Sequence, residues 1–204
     1  MTYAADLRSA LLDNLGSSWL EFMPGWTTSY HGQWVGGKPK AIVLHHSAAA
    51  ATASTNPKAP GNQHGANMNV INYIQNHPLG CPAANFSLDR DGTVYVHAAL
   101  QIYHAGKGSF RGKAPWNTLG IPDDSANHYT LGVEIIDKGL SKTSITEAQK
   151  DSLVHLMRAC RDASGWANIG LIRRPQHRNW TQRKIDLRVS NDEVSDWILK
   201  YGFA

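Results

Sequence analysis

The chain has 204 residues, enough for one full domain with a short extension but not for two independent units. Hydrophobic residues make up 42% and charged residues 18%, which excludes a disordered tail or a coiled coil, both richer in charge. A formal net charge of +4 favours polyanionic surfaces such as nucleic acid or an anionic cell wall without choosing between them, and ten His, more than Met and Phe together, raise the question of metal or acid–base chemistry.

The N-terminal stretch MTYAADLRSALLDNL lacks the basic start and long apolar run of a secretory signal, and no segment approaches the ~18 apolar residues of a membrane span. The expectation is a chain made in the cytoplasm, without stable membrane association. Leu7, Leu11, Leu12 and Leu15 recur at helical spacing, predicting a short amphipathic helix over residues 4–15 that ends near Gly16. A turn-rich aromatic stretch follows, with Trp26 and Trp34 expected to pack on the domain. AIVLH (41–45) is a continuous apolar run of the kind found in a strand buried on both faces. Residues 48–60, rich in Ala, Thr, Ser and Pro, read as a flexible loop.

Helical spacing returns at Val70, Ile71 and Ile74, with Pro78 closing the segment. Two strand-like runs around Asp91-Gly92 form the strongest hairpin signal in the chain, and TLGVEII (130–136) predicts a further strand. Ser144 with Glu147 fits a capping box before a long helix ending at Gly165, and Ser190 with Glu193 repeats the pattern before a last helix. Leu171-Ile172 reads as a short strand. Strands alternate with helices but one pair is a hairpin, so the fold class is α/β, a central mixed sheet flanked by helices. Cys81 and Cys160 leave both a disulfide and two free thiols open, and a core of this size needs no cross-link.

Neither H-E-x-x-H nor C-x-x-C occurs, so any metal site must be assembled from distant segments. His45 and His46 close the first buried strand, and since neighbouring strand residues point to opposite faces, only one of them can enter a given site. His177 lies nine residues before Asp186, with Lys184 two residues before that Asp. Two imidazoles and a carboxylate would make a three-ligand zinc site with one position open, although a strand-end His is also often structural. Glu134, set between Val133 and Ile135, is either half of a buried ion pair or a general base whose pKa is raised by apolar surroundings.

Five stretches in order, IVLHHSA (42–48), ANFSLDRDGTVY (84–95), YHAG (103–106), LGVEI (131–135) and HRNWTQRKID (177–186), carry a resemblance to a known family. The chain resembles the zinc-dependent N-acetylmuramoyl-L-alanine amidases of the peptidoglycan-recognition-protein fold, in particular the amidase modules of actinobacteriophage endolysins. The resemblance implies a type 2 amidase-like catalytic domain over residues 39–204 behind an N-terminal extension, residues 1–38. It implies Zn²⁺ on His45, His177 and Asp186, Glu134 as base, Lys184 as a stabiliser of developing negative charge, Asn85 on the substrate, and His104 in the segment that lines the substrate groove, with a structural histidine as the alternative. Leu187 stands where a proline often follows the third ligand, and AAN (83–85) replaces the stretch that carries a catalytic tyrosine in another branch, so the base role rests on Glu134. The implied partner is bacterial peptidoglycan, acted on by a monomer released from a phage-infected host. A binding-only peptidoglycan-recognition module is the alternative. A nucleic-acid partner is not expected: the Arg173, Arg174, Arg178, Arg183, Lys184 cluster lies in no recognised binding motif and reads as a solvated or wall-facing patch.

Overall fold

The computed structural model describes residues 2–49, 56–139, 144–184, 186–187 and 189–202. Residues 50–55 of the loop expected over 48–60 lie outside that set. Helix α1 (Tyr3–Leu15) buries Tyr3, Leu7, Leu11 and Leu15, one residue per turn, and ends at Gly16 as the sequence predicts. A short strand β1 (Leu20–Phe22) follows, which three residues with no alternating pattern do not announce. Strand β2 (Ala41–His46) and helix α2 (Met68–Gln75) stand where expected.

Strands β3 (Phe86–Leu88) and β4 (Val94–Val96) form the hairpin, turned at Asp91-Gly92. Gly92 has φ +97°, and a Cβ there would press on Ala148 and Ser152, so both turn and packing require glycine. Strand β5 (Thr130–Ile135) leads to helix α3 (Glu147–Ser164), a single-turn helix α4 (His177–Trp180) and helix α5 (Asn191–Tyr201).

Two local expectations are corrected. The box that caps α3 is Thr146 with Gln149, not Ser144 with Glu147: the Ser144 hydroxyl donates to Asp137 at 2.8 Å, and the Glu147 carboxylate is taken by Lys150 and Lys200. Leu171-Ile172 is not a strand but part of a 3₁₀ turn, Leu171–Arg173, closed by the Arg173 N–H on the Gly170 carbonyl. The Ser190–Glu193 box forms as predicted. Cys81 and Cys160 are buried free thiols in separate apolar clusters. Trp34 is buried, its indole N–H donating to the Ala99 carbonyl, while Trp26 is half-buried against Phe22.

The five strands run in the order β1-β4-β3-β5-β2, with β4 antiparallel to β3 and the remaining pairs parallel, so the sheet is mixed as expected. Its register sorts the side chains. Ile42, Leu44, Leu131, Val133, Ile135, Phe86, Leu88, Val94 and Val96 share one face and one core with α1, α3 and α5. On the opposite face, His45, Glu134, Ser87, Tyr95 and Glu21 stand in register across all five strands. The sheet thus has an oily side, which holds the fold together, and a polar row, which holds the chemistry.

Helix α1 lies along α3, and β1 completes the sheet edge, so residues ahead of 38 share the main core. Leu7 is fully buried there. Leu7→Ala is expected to cost about 2–5 kcal/mol of unfolding free energy, read by urea denaturation, with the loss falling on the whole domain in one transition. A change below about 1 kcal/mol, or a separate early transition, would count against a shared core. Among the described residues no helix is long and apolar enough to cross a membrane.

Candidate metal and catalytic site

His45 reaches the site because β2 ends there with His45 on the polar face, whereas His46 points the other way and packs against Gly139. The Leu44 N–H donates to the Pro175 carbonyl, extending β2 into a bridge with Gln176 and setting the first residue of α4, His177, beside the strand end. Gln176 and Asn179 close a capping box around that turn. The Arg178 N–H donates to the Asp186 carbonyl and folds the following segment back over α4.

Three ligand atoms converge. His45 Nδ1 lies 2.8 Å from His177 Nδ1, His177 Nδ1 lies 3.2 Å from Asp186 Oδ2, and His45 Nδ1 lies 3.6 Å from the same oxygen. All three residues are buried, and among the described residues they form the one group of three such side chains close enough to share an ion. Ligands about 2.0–2.2 Å from a tetrahedral ion sit roughly 3.3–3.6 Å apart, so the triangle fits once the two imidazoles part slightly. The outer ring nitrogens say the same. His177 Nε2 faces the Ala105 carbonyl at 3.0 Å, and a carbonyl only accepts, so this nitrogen carries the proton and Nδ1 is the lone pair in the neutral ring. Lone pairs gathered at this spacing repel unless a cation joins them.

Burial pushes the His45 pKa down to about 4, despite the Asp186 carboxylate that draws it up, so the ring is neutral at pH 7 and fit to be a ligand.

Glu134 sits on β5 directly across from His45. Its side chain is half-buried, and Oε2 is shielded from solvent with no hydrogen-bond partner. Burial and the nearby Asp186 charge raise its pKa to about 8, with Lys184 pulling the other way. A carboxyl poised there can take and return a proton near neutral pH. Lys184 is exposed on the rim of a cleft of about 330 Å³ lined also by His104, Ala105, Gly106, His177, Thr181 and Arg183. Apart from Asn85, the residues singled out from the sequence therefore meet at this cleft and the strand ends beside it.

Two expected substrate contacts take different places. Asn85 is fully buried: its amide donates to the Ala98 and Leu100 carbonyls, both at 2.9 Å, and its oxygen accepts from the Gly132 N–H at 2.8 Å. It staples β5 to the segment after β4 and has no N–H left for a ligand. His104 does line the cleft, but both ring nitrogens are turned inward, Nδ1 to His45 and Nε2 to the Thr130 carbonyl. Of the supports around His104, Ala105 falls inside YHAG and Thr130 directly precedes LGVEI, while Asn127, which holds the 104–105 backbone, carries no signal in the sequence.

The family model described as N-acetylmuramoyl-L-alanine amidase matches residues 35–188. No curated protein matches the chain. Among solved structures it is similar to the endolysin N-acetylmuramoyl-L-alanine amidase LysCS from Clostridium intestinale, at 14% identity over 88% of this chain and 95% of that one, TM-score 0.49. It is similar also to PGRP-Hd from Alvinella pompejana, at 16% identity over 75% and 80%, TM-score 0.45. The Ph2119 endolysin from the Thermus scotoductus bacteriophage Ph2119 aligns at 16% identity over 87% and 98%, TM-score 0.42. With the family model covering most of its length, from just before β2 to just past Asp186, the chain belongs to the N-acetylmuramoyl-L-alanine amidase family.

Proposed function

We propose that the protein is a zinc-dependent peptidoglycan hydrolase that cleaves the amide between the lactyl group of N-acetylmuramic acid and the L-alanine of the stem peptide, and that it serves as a phage endolysin in host lysis. The observation that carries the catalytic reading is the register of β2 and β5. It puts an unpartnered, proton-hungry Glu134 beside the His45, His177, Asp186 triangle.

Two nitrogens and one carboxylate oxygen suit zinc and leave a coordination position open. A zinc ion held there supplies Lewis acidity, polarising the scissile carbonyl and easing deprotonation of water. Glu134 Oε2 accepts the proton of the attacking water and returns it to the departing alanine nitrogen. Burial favours the protonated form of this carboxyl, which helps it take up the proton. Lys184, at the mouth of the cleft, offers positive charge to the oxyanion that develops on the carbonyl.

A binding-only module would occupy the same cleft without turnover, and one experiment separates the two. Purified peptidoglycan is incubated with the protein, with and without chelator, and the soluble products are analysed by mass spectrometry. Stem peptides with a new N-terminal alanine, released only without chelator, are the expected result. Release of reducing sugar ends, or no chelator-sensitive release, would overturn the amidase reading.

A further inference from the structure

Deepening the metal reading of the site, on which this inference rests, we propose that His104 is a positioning residue for the metal ligand His45, and that the 104–105 segment fixes the tautomers of both histidine ligands. His104 Nε2 lies 2.8 Å from the Thr130 carbonyl. A carbonyl only accepts, so Nε2 carries the ring proton and Nδ1 is a lone pair. Across 3.1 Å from that lone pair stands His45 Nε2, which must therefore be the donor. A neutral imidazole has one N–H; with it spent on His104, His45 Nδ1 is a lone pair aimed at His177 and Asp186. The next residue performs the same task for the second ligand, the Ala105 carbonyl accepting from His177 Nε2.

The segment that does this is itself held. Asn127 Oδ1 accepts from the His104 N–H at 3.0 Å and from the Ala105 N–H at 2.7 Å, so one side chain sets the height of both supports. The Thr130 hydroxyl donates to the Ala126 carbonyl and stays available to accept from His104 Nε2 at 3.2 Å. The His104 ring lies against Gly132 so closely that a Cβ there would fall 2.6 Å from its Cγ. Glycine at this point of β5 is the room the ring needs. With both nitrogens committed inside the protein, His104 can meet a substrate only through the edge or face of its ring.

The test reads the tautomer and the metal separately. Long-range ¹H–¹⁵N spectra of the metal-free wild-type protein near pH 7.5 are expected to show His45 protonated at Nε2, and a His45 ring protonated at Nδ1 would overturn the proposal without any variant being needed. His104→Phe, which keeps the ring volume and removes the acceptor, is expected to weaken Zn²⁺ binding about 10–100-fold in chelator competition, as loss of such outer supports does. His104→Asn, whose side-chain oxygen falls near the place of Nδ1, should recover a large part of that loss, and a packing role alone would give the opposite ranking. Wild-type zinc affinity in His104→Phe would overturn the proposal. A wild-type protein that binds no Zn²⁺ yet shows His45 protonated at Nε2 would sink the metal reading and keep the tautomer chain.

Discussion

Glu134→Gln is expected to lower turnover on peptidoglycan by about 10²–10⁴, the usual worth of a positioned base, while zinc content stays at the wild-type level. The amide keeps the shape of the carboxyl and cannot take a proton from water. The same substitution should stabilise the metal-free protein, and the sign follows from the pKa. Glu134 ionises near pH 8 in the fold and near its ordinary 4.5 when unfolded. Between those values the folded protein holds a proton that the unfolded chain has released, so stability falls as pH rises from about 4.5 to about 8. The penalty is on the order of 5 kcal/mol at most, less for the part of the side chain that reaches solvent. Thermal melts in chelator should therefore show Glu134→Gln gaining over wild type at pH 8 and matching it near pH 5. Near wild-type turnover in Glu134→Gln would remove the base assignment, and a gain of equal size at both pH values would remove its electrostatic origin. A residue that destabilises the empty fold and is needed for turnover is one the fold holds for its chemistry.

The sequence exposes this site unevenly, for physical reasons. Glu134 is legible because an ionisable residue between Val133 and Ile135 breaks the apolar pattern of a buried strand. His45 is legible as half of a pair at a strand end, and the two-residue alternation settles that just one of the pair can enter. Ser87, Tyr95 and Glu21 complete the polar row, but membership there depends on the register of five strands, and register is set by tertiary packing. The misplaced α3 cap has the same cause. Ser144-x-x-Glu147 and Thr146-x-x-Gln149 are both acceptable boxes locally, and the choice falls to Asp137, seven residues before Ser144 and just past β5, which accepts the Ser144 hydroxyl. The motifs bring His104 to the cleft wall but do not show which way its nitrogens or the Asn85 amide turn, because the partners that take them, Ala98, Leu100 and Thr130, are fixed only by the fold. Strand β1 is the largest omission, since three residues gain strand character from pairing with β4 and from nothing in their own order.

His177→Ala separates a ligand from the base. His177 closes the triangle from α4, and the remaining pair, His45 Nδ1 and Asp186 Oδ2 at 3.6 Å, offers one nitrogen and one oxygen, too few for a tetrahedral site. Zinc binding should be lost, activity should fall to that of the chelated wild type, and added zinc should not restore it. A second readout does not depend on activity. A ligand that binds only the folded state stabilises it by RT ln(1 + [L]/Kd), about 4 kcal/mol at a thousandfold excess over Kd. Zinc should therefore raise the melting temperature of the wild type and of Glu134→Gln, and leave that of His177→Ala unmoved. The pattern across the two variants is what discriminates. If both lost the zinc shift, Glu134 would be a ligand rather than a base; if both kept it, the metal would lie elsewhere. With the shift kept in Glu134→Gln and lost in His177→Ala, the two strands and the short helix have divided the work as their geometry divides them, β5 for the proton and β2 with α4 for the ion.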